Sequence, residues 1–200
     1  MVWLLGAAAL AGSPQGTINT DATAIVGFRP GFGVQVDYGI WKGFYVGGRA
    51  LHQQEAYIAA GNLGEFTETG TWHHGFQIGG GIRAVIGRND RWDIDIGLFV
   101  GPELSFVRET VEYRNSGQDP AYSIRDRRFY SSWQTGLMMF PPTLRYRFAE
   151  NVGVVFQAVF PIGDALAIER NYASIGLTAR WGGDKVGSGG KERVKPKRKR

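Results

Sequence analysis

Cysteine is absent from this 200-residue chain, and lysine is almost absent from all but its end. Without cysteine the chain can form neither a disulfide framework nor a thiolate metal site. Lys42 is the only lysine before Lys185, whereas soluble β proteins normally cover their outer faces and edges with Lys and Glu. No stretch approaches the roughly 18 apolar residues of a membrane-spanning helix. The sequence therefore predicts no helical membrane topology and a surface unlike that of an ordinary soluble sheet.

The formal charge of +5 is concentrated at the end of the chain. Residues 182–200 contain eight basic and two acidic residues, a net +6, which leaves −1 for the preceding residues. We therefore interpret residues 182–200 as a basic, flexible tail on a neutral body. Its basic cluster consists of Lys191, Arg193, Lys195, Lys197, Arg198, Lys199 and Arg200. No aromatic residue is interleaved there, so the tail offers no base-stacking platform and nucleic acid is not predicted as a partner.

The clearest positive signal is a period-two alternation from Arg91 to Val107. Its apolar face comprises Trp92, Ile94, Ile96, Leu98, Val100, Pro102, Leu104 and Phe106. Such alternation predicts a β-strand, and about 9–11 residues suffice for a tilted strand to cross a bilayer. A strand of this length with one wholly apolar face indicates a membrane wall.

The rest of residues 22–181 divides into seven further strand-like segments. The second, fourth and sixth connections, at 41–43, 88–90 and 149–151, are short, whereas longer loops are expected near 59–70, 108–128 and 161–171. The predicted fold is an all-β, eight-stranded antiparallel up-and-down transmembrane barrel with its short turns at one end. Pro141-Pro142 interrupts one strand, where we expect a bulge or a shift of register.

The segments before the barrel have a different character. Residues 1–11 are short and apolar and end in Ala9-Leu10-Ala11, so we interpret them as a signal-peptide remnant, although a basic start is missing. Residues 12–21 are interpreted as a polar N-terminal lead-in.

Aromatic residues predict two girdles at the ends of the membrane wall. The girdle at the short-turn end would comprise Trp41, Trp92, Phe148 and Trp181, and the girdle at the other end Trp72, Phe106 and Trp133.

The second face of the strands is rich in glycine and charge, which favours an interior position in a narrow barrel. The predicted polar network of the lumen consists of Asp37, Arg49, Arg83, Asp93, Asp95, Glu103, Arg145, Arg147 and Arg180. Opposite charges can pair there, as burial requires, so a closed plug is expected. An open pore is the alternative. A soluble, lipocalin-like barrel with its apolar face inside is a third interpretation.

Signals for catalysis or for a bound cofactor are weak. His52, His73 and His74 lie in one predicted hairpin with Glu55 opposite the latter pair, but they divide between two faces, which disfavours a metal site. A deacylase would need a nucleophile, a base and an orienting carboxylate, and Ser131 and Ser132 lie two strands from His73. We therefore expect no enzyme, no metal and no cofactor.

The chain resembles a known family, the small eight-stranded outer-membrane β-barrels of the OmpA transmembrane-domain, OmpX and opacity-protein type. The segments GVQVDYGIWKGF from Gly33 and ASIGLTARW from Ala173 carry the resemblance. It implies that the barrel insertion machinery recognises the last strand through its aromatic end, here Trp181, although Trp181 is not the last residue.

These features together predict a non-enzymatic protein of the bacterial outer membrane with a structural or surface-interaction role. Its tail would lie in the periplasm and could tether the barrel to an anionic or protein partner there. Outer-membrane lipid and the insertion machinery are the other expected partners. A small-solute channel remains the alternative function.

Overall fold

A computed structural model describes residues 15–41, 43–60, 65–86, 91–114, 123–162 and 171–182. The predicted signal-peptide remnant and all of the tail beyond Gly182 lie outside the described residues, as do the centres of the three predicted long loops. Among the described residues, no helix is long and apolar enough to cross a membrane.

The described residues form nine antiparallel strand segments that close into a ring. Their bounds are β1 Thr17–Gly27, β2 Gly31–Trp41, β3 Phe44–Ala60, β4 Glu65–Ile86, β5 Trp92–Arg114, β6 Ser123–Phe140, β7 Thr143–Arg147, β8 Val152–Ile162 and β9 Tyr172–Gly182. Each strand from β1 to β5 pairs with the next in sequence, β6 and β7 both lie between β5 and β8, and β8 pairs with β9. β1 pairs with β9 along its whole length. Because β6 and β7 occupy one place in the ring, the wall has eight strands. The predicted eight-stranded up-and-down barrel is confirmed.

The break between β6 and β7 falls at Pro141-Pro142, because proline has no amide hydrogen for a ladder. The pairing register is nevertheless the same on both sides of the break, both with β5 and with β8. The shift of register lies instead between Gly101 and Glu103 of β5. Pro102 stands at that point. The register therefore shifts at this single proline and stays the same across the pair Pro141-Pro142.

The first strand begins earlier than the sequence suggested. Thr17, Asn19 and Asp21 are buried and alternate with more exposed Ile18 and Thr20. Residues 17–21, assigned to a polar lead-in, are therefore part of the barrel. Their polarity reflects the polar side of the wall that they face.

The strands differ in length around the ring. β1, β2, β8 and β9 each have 11 residues, whereas β3, β4 and β5 have 17, 22 and 23. Residues 54–60, 65–71, 107–114 and 123–131 of β3 to β6 consequently continue as a paired sheet beyond the rest of the wall, which we call the rim sheet. Two of the expected long loops are thus largely strand, for roughly 20–25 Å of chain.

Side chains alternate strictly between the two faces of the wall. In β5, Asp93, Asp95 and Phe99 are buried while Ile94, Ile96 and Leu98 are exposed. The same parity holds in β2, where Gln35 and Asp37 are inside and Val34 and Val36 outside. The apolar face therefore points outward and the polar face inward, the reverse of a soluble barrel that encloses an apolar cavity.

Candidate functional site

The interior near the short-turn end is filled by paired charges, which we call the lower charge cluster. Its members are Asp21, Asp37, Asp93, Asp95, Arg83, Arg145, Arg147 and Arg180. Four carboxylates thus face four guanidinium groups, so the formal charge of the cluster is zero. Alternation along β1, β2, β4, β5, β7 and β9 brings these groups to one level of the lumen.

Two arginines at the centre of this cluster each contact more than one carboxylate. Arg83 Nε donates to Asp95 Oδ1 at 2.7 Å, and Arg83 Nη2 donates to Asp37 Oδ2 at 2.8 Å. Arg145 Nε donates to Asp21 Oδ1 at 3.0 Å, and Arg145 Nη1 donates to Asp95. Both arginine side chains are at most 1% exposed. Such pairing compensates the desolvation of the buried charges and closes the lumen at this level.

The remaining two arginines converge on one carboxylate. Arg147 Nη2 lies 3.3 Å from Asp93 Oδ1, and Arg180 Nη2 donates to the other oxygen of Asp93. Arg180 Nε also donates to Asn19 Oδ1 at 2.9 Å, and the amide of Asn19 donates to Asp37 Oδ1 at 3.0 Å. These bonds connect the ends of β1 and β9 to the rest of the cluster.

A belt of uncharged polar residues lies above the lower charge cluster and contains one cation, Arg49. Arg49 Nη2 donates to Gln157 Oε1 at 3.0 Å and to the Tyr172 hydroxyl at 2.7 Å. Its guanidinium carbon lies 5.6 Å from the centroid of the Phe99 ring. Gln157 Nε2 donates in turn to Thr143 Oγ1 at 2.9 Å. The middle of the lumen is therefore also crossed by side-chain hydrogen bonds.

A third group, the upper cluster, lies where the lumen meets the rim sheet. His73 Nδ1 and Ser105 Oγ share a hydrogen bond of 2.8 Å, and Glu103 Oε1 lies 3.3 Å from the same nitrogen. Glu55 Oε2 is 3.8 Å from His73 Nε2 and accepts from Arg29 Nε at 2.9 Å.

The upper cluster has the residue types of a serine hydrolase without the geometry of one. Ser105 and Glu103 both approach Nδ1 of His73, whereas a triad needs nucleophile and carboxylate on opposite ring nitrogens. The 3.8 Å separation between Glu55 and Nε2 exceeds a hydrogen bond. The arrangement therefore links strands β3, β4 and β5 by polar contacts and does not activate Ser105.

The other two histidines face outward. His52 and His74 pair across β3 and β4, with 3.4 Å between their Nδ1 atoms, and they pack against Phe32 and Phe106. The structure thus divides the three histidines between two faces. Within the described ranges, no cluster of three or more His, Asp or Glu side chains could hold a metal ion.

All nine residues predicted to form the polar network of the lumen lie inside the barrel, but at three levels. Arg49 lies in the middle belt and Glu103 in the upper cluster, and the other seven belong to the lower charge cluster, whose eighth member is Asp21. The sequence interpretation missed Asp21, because its strand was not recognised, and Ser105, because only Ser131 and Ser132 were considered. The signal that could have revealed Asp21 is the period-two pattern in which Asn19 and Asp21 share one face of the strand and Ile18 lies on the other.

The predicted aromatic girdle residues lie on the outer face at two heights. Trp92 pairs with Tyr146, with ring centroids 4.6 Å apart, and Trp41 stacks on Phe44 at 6.0 Å, both near the short turns. Phe148 and Trp181 are exposed at the same end. At the other end Trp72 pairs with Phe106 across β4 and β5, and Trp133 pairs with Leu104.

Two edges of the rim sheet lack a neighbouring strand among the described residues, and we call them its open edges. β2 accompanies β3 only as far as Gln53, and β8 pairs with β6 only at residues 138–140. In the described part of the chain, residues 55–60 of β3 and 123–137 of β6 therefore have a strand on one side only. Exposed side chains on these two strands include Tyr57, Ile58, Phe129, Tyr130 and Trp133.

No protein-family model matches this chain, and no curated protein matches its sequence. Among solved structures it is similar to Ail, the attachment invasion locus protein of Yersinia pestis, at 12% identity and a TM-score of 0.45 over 82% of this chain and 95% of that chain. It is also similar to the N-terminal β-barrel domain of Pseudomonas aeruginosa OprF, at 9% identity and a TM-score of 0.39 over 84% and 100%. Neisserial surface protein A gives 11% identity and a TM-score of 0.36 over 82% and 95%.

Proposed function

We propose that this chain is a non-enzymatic barrel of the bacterial outer membrane that serves a surface-interaction role through its rim sheet. The observation that carries the proposal is the outward apolar wall around a polar, paired interior. An apolar outer face that continues across the described side chains of β1 to β5, β8 and β9 is far larger than the patches found on soluble proteins. A closed barrel satisfies its backbone hydrogen bonds internally, which is the condition for strands in hydrocarbon.

The paired interior supports a structural barrel over a channel. The lower charge cluster and the hydrogen bonds of Arg49 cross the lumen at two levels, and an eight-stranded barrel is only wide enough to be filled by its side chains. The small-solute channel stays the competing function. We expect no single-channel steps above the bilayer background in planar-membrane recordings of the purified protein, and a steady conductance would contradict the closed lumen.

The proposed orientation places the short turns in the periplasm and the rim sheet outside the cell. Short periplasmic turns and longer external extensions are typical of such barrels. In this orientation the two rows of exposed aromatic residues lie at the two membrane interfaces, and Trp181 ends the strand offered to the insertion machinery. The basic tail would begin at the periplasmic end, where anionic lipid or an acidic protein could bind it.

The open edges of the rim sheet supply the interaction surface. An unpaired strand presents a row of free backbone donors and acceptors that an extended segment of another protein can complete. Phe129 is 72% exposed on β6 and lies beside Tyr130, so apolar contacts can add to the backbone bonds. The proposed partner is therefore an extended strand of an external protein.

Single cysteine substitutions test this topology, because the natural chain contains no cysteine. We would label intact cells carrying Ile58→Cys, Ile78→Cys or Glu150→Cys with a maleimide that cannot cross membranes. Ile58 lies in the rim sheet, Ile78 lies on the apolar wall and Glu150 lies in a short turn.

The proposal expects labelling at Ile58→Cys in intact cells and at Glu150→Cys only after the outer membrane is permeabilised. Ile78→Cys should resist the reagent in both cases and react after detergent unfolding, although its side chain is as exposed in the isolated barrel as that of Ile58. Equal labelling of Ile58→Cys and Ile78→Cys in cells would overturn the membrane position, and labelling of Glu150→Cys alone in intact cells would reverse the orientation.

A further inference from the structure

A groove of mixed polarity lies on the outer side of the rim sheet, beside the β1–β2 turn. It has a volume of about 370 Å³. The residues that matter for its chemistry are Phe28, Gln54, Glu68, Gly70, Trp72 and Arg108. These come from the first turn and from β3, β4 and β5, so the groove exists only because the longer strands continue past that turn.

Trp72 and Arg108 form one wall of this outer groove. The guanidinium carbon of Arg108 lies 5.5 Å from the centroid of the Trp72 ring, a distance at which a cation is attracted to an aromatic face. The contact holds both side chains in place while the N–H groups of Arg108 stay exposed. Phe28 also lines the groove and presents a largely exposed ring.

Gly70 provides the space in front of Trp72. A Cβ atom placed at Gly70 would meet the tip of the Trp72 ring at 3.6 Å and Arg108 Nη2 at 4.0 Å. These are ordinary van der Waals distances, so a Cβ atom fits there without displacing its neighbours. The glycine therefore leaves open a volume that the fold itself could have filled.

The polar groups around the groove balance in charge and offer both donors and acceptors. Glu68 contributes acceptors, Arg108 donors and Gln54 both, and all three are exposed. In the part of the chain that the structure describes, neither Glu68 nor Arg108 forms a salt bridge. Glu55 also lines the groove, but its carboxylate accepts from Arg29 Nε at 2.9 Å, so that ion pair adds no net charge. The Glu68 carboxylate and the Arg108 guanidinium balance each other, so the groove has no excess charge with which to select an ion.

We propose that the outer groove binds a neutral sugar ring. The apolar C–H face of a hexose can pack on Phe28 and Trp72, while adjacent hydroxyl groups donate to Glu68 and Gln54 and accept from Arg108. The volume lies at the lower end of the range for small-molecule sites, which suits one ring. A free hexose, a soluble glycan and the headgroup of a neutral glycolipid all share this chemistry.

The sugar site goes beyond the proposed docking of an extended strand and does not depend on it. The groove uses the outer face of β3, β4 and β5 and reaches the open edge of β3 at Glu55 and Ala56, whereas strand docking uses the edges of β3 and β6. Purified protein can be tested for sugar binding whatever its orientation in the membrane, so the two proposals can fail separately.

The test uses folded protein in lauryldimethylamine oxide, because detergents with sugar headgroups would occupy the site. The methyl glycosides of glucose, galactose and mannose are titrated one at a time, and binding is followed by tryptophan fluorescence and by saturation-transfer NMR. We expect saturable binding of at least one glycoside. Gly70→Val should weaken it about tenfold or more by filling the groove, since partner groups then lose contact.

Two variants accompany this one. Glu68→Gln removes an exposed charge without threatening the fold and should weaken binding severalfold. Gly48→Ala is the matched control, because its Cβ would meet only Gln77 O at 3.7 Å, outside the outer groove, and it should bind as the natural chain does. Heat-dependent gel mobility confirms that each variant is folded.

Three results would overturn the site: no saturable binding of any neutral glycoside, unchanged binding by folded Gly70→Val, or Gly70-sensitive binding of glucose 6-phosphate alone. If a neutral glycoside binds, vesicles with and without a monohexosyl lipid identify the source. Competition by the lipid supports a glycolipid headgroup, and its absence supports a soluble glycan.

Discussion

The lower half of the barrel and the rim sheet are built from the same strands but obey different physical constraints. In the lower half, every carboxylate of the charge cluster contacts an arginine and the outer face is apolar. In the rim sheet, the ion pair of Arg128 with Asp126 is largely exposed and two edges lack a neighbouring strand in the described residues. In the first region the loss of one partner leaves a buried charge uncompensated, whereas in the second the charges stay in contact with solvent.

Removing a central cation should produce the largest effect. Arg145→Met leaves Asp21 without its guanidinium partner and weakens the contacts of Asp95, and an uncompensated buried charge costs about 3–5 kcal/mol of unfolding free energy. Urea unfolding of the protein in lipid vesicles, followed by tryptophan fluorescence, measures the loss. The double variant Arg145→Met with Asp21→Asn should recover part of it, and a loss below about 1 kcal/mol would mean that the cluster is hydrated.

A charge placed at two almost equally exposed positions, one on the wall and one on the rim sheet, tests the difference between the two regions most directly. Ile78 is 73% exposed on the wall and Ile58 is 75% exposed on the rim sheet. Ile78→Arg should cost about 2–4 kcal/mol, the cost of a cation on the lipid face of a membrane barrel. Ile58→Arg should leave the unfolding free energy nearly unchanged, because it enters water beside Glu68. Equal losses of unfolding free energy in both variants would mean that the wall and the rim sheet have the same surroundings.

Glycine positions give a smaller contrast within the wall itself. A Cβ atom at Gly97 would overlap the Tyr45 hydroxyl, and Tyr45 is buried beneath Arg83, whose guanidinium carbon is 4.9 Å from its ring centroid. Gly97→Ala should therefore cost about 1–3 kcal/mol through overpacking. Gly48→Ala meets no close neighbour and should be neutral or slightly stabilising. The same urea titration compares the two, and the reverse order would contradict the packing around Tyr45.

The smallest effect is expected for an ion pair of the rim sheet. Arg128 Nε and Asp126 Oδ2 are 3.0 Å apart, but the two side chains are 61% and 48% exposed, so solvent screens their attraction. Arg128→Gln should leave the urea midpoint of the barrel unchanged at both low and high salt. A salt-dependent loss of stability would indicate that the rim sheet supports the fold as the lower cluster does.

Much of the fold was predictable because the strands of the wall have one apolar and one polar face, which appears in the sequence as a period-two alternation. Placing Ile94, Ile96 and Leu98 on one face and Asp93 and Asp95 on the other required only the period-two pattern. One further decision, which face points inward, completed the prediction. Length was harder: residues 65–70 are rich in Glu, Thr and Gly and resemble a loop, although they pair as a strand with β3 and β5. Where neither face is buried, the hydrophobic pattern that distinguishes strand from loop disappears.

The interior contacts were less predictable than the interior residues. The alternation along each strand places Arg83, Arg145 and Asp95 inside. It does not give their positions along the barrel axis, which depend on the stagger between strands. The contact between His73 and Ser105 joins residues 32 positions apart and followed only from the register of β4 with β5. The shift at Pro102 likewise depended on which of the wall's prolines the neighbouring strands would accommodate.

The seam between β1 and β9 has a consequence for how the chain is made. Eleven consecutive residue pairs, from Thr17 with Gly182 to Gly27 with Tyr172, join the first strand to the last. Contacts between such distant parts of a chain form slowly, because closing the intervening loop costs entropy. Until the last strand arrives, β1 and β8 each expose unsatisfied backbone that hydrocarbon does not tolerate. Assembly is consequently all or nothing: the ribosome must deliver the final strand before any part of the wall can stably enter lipid.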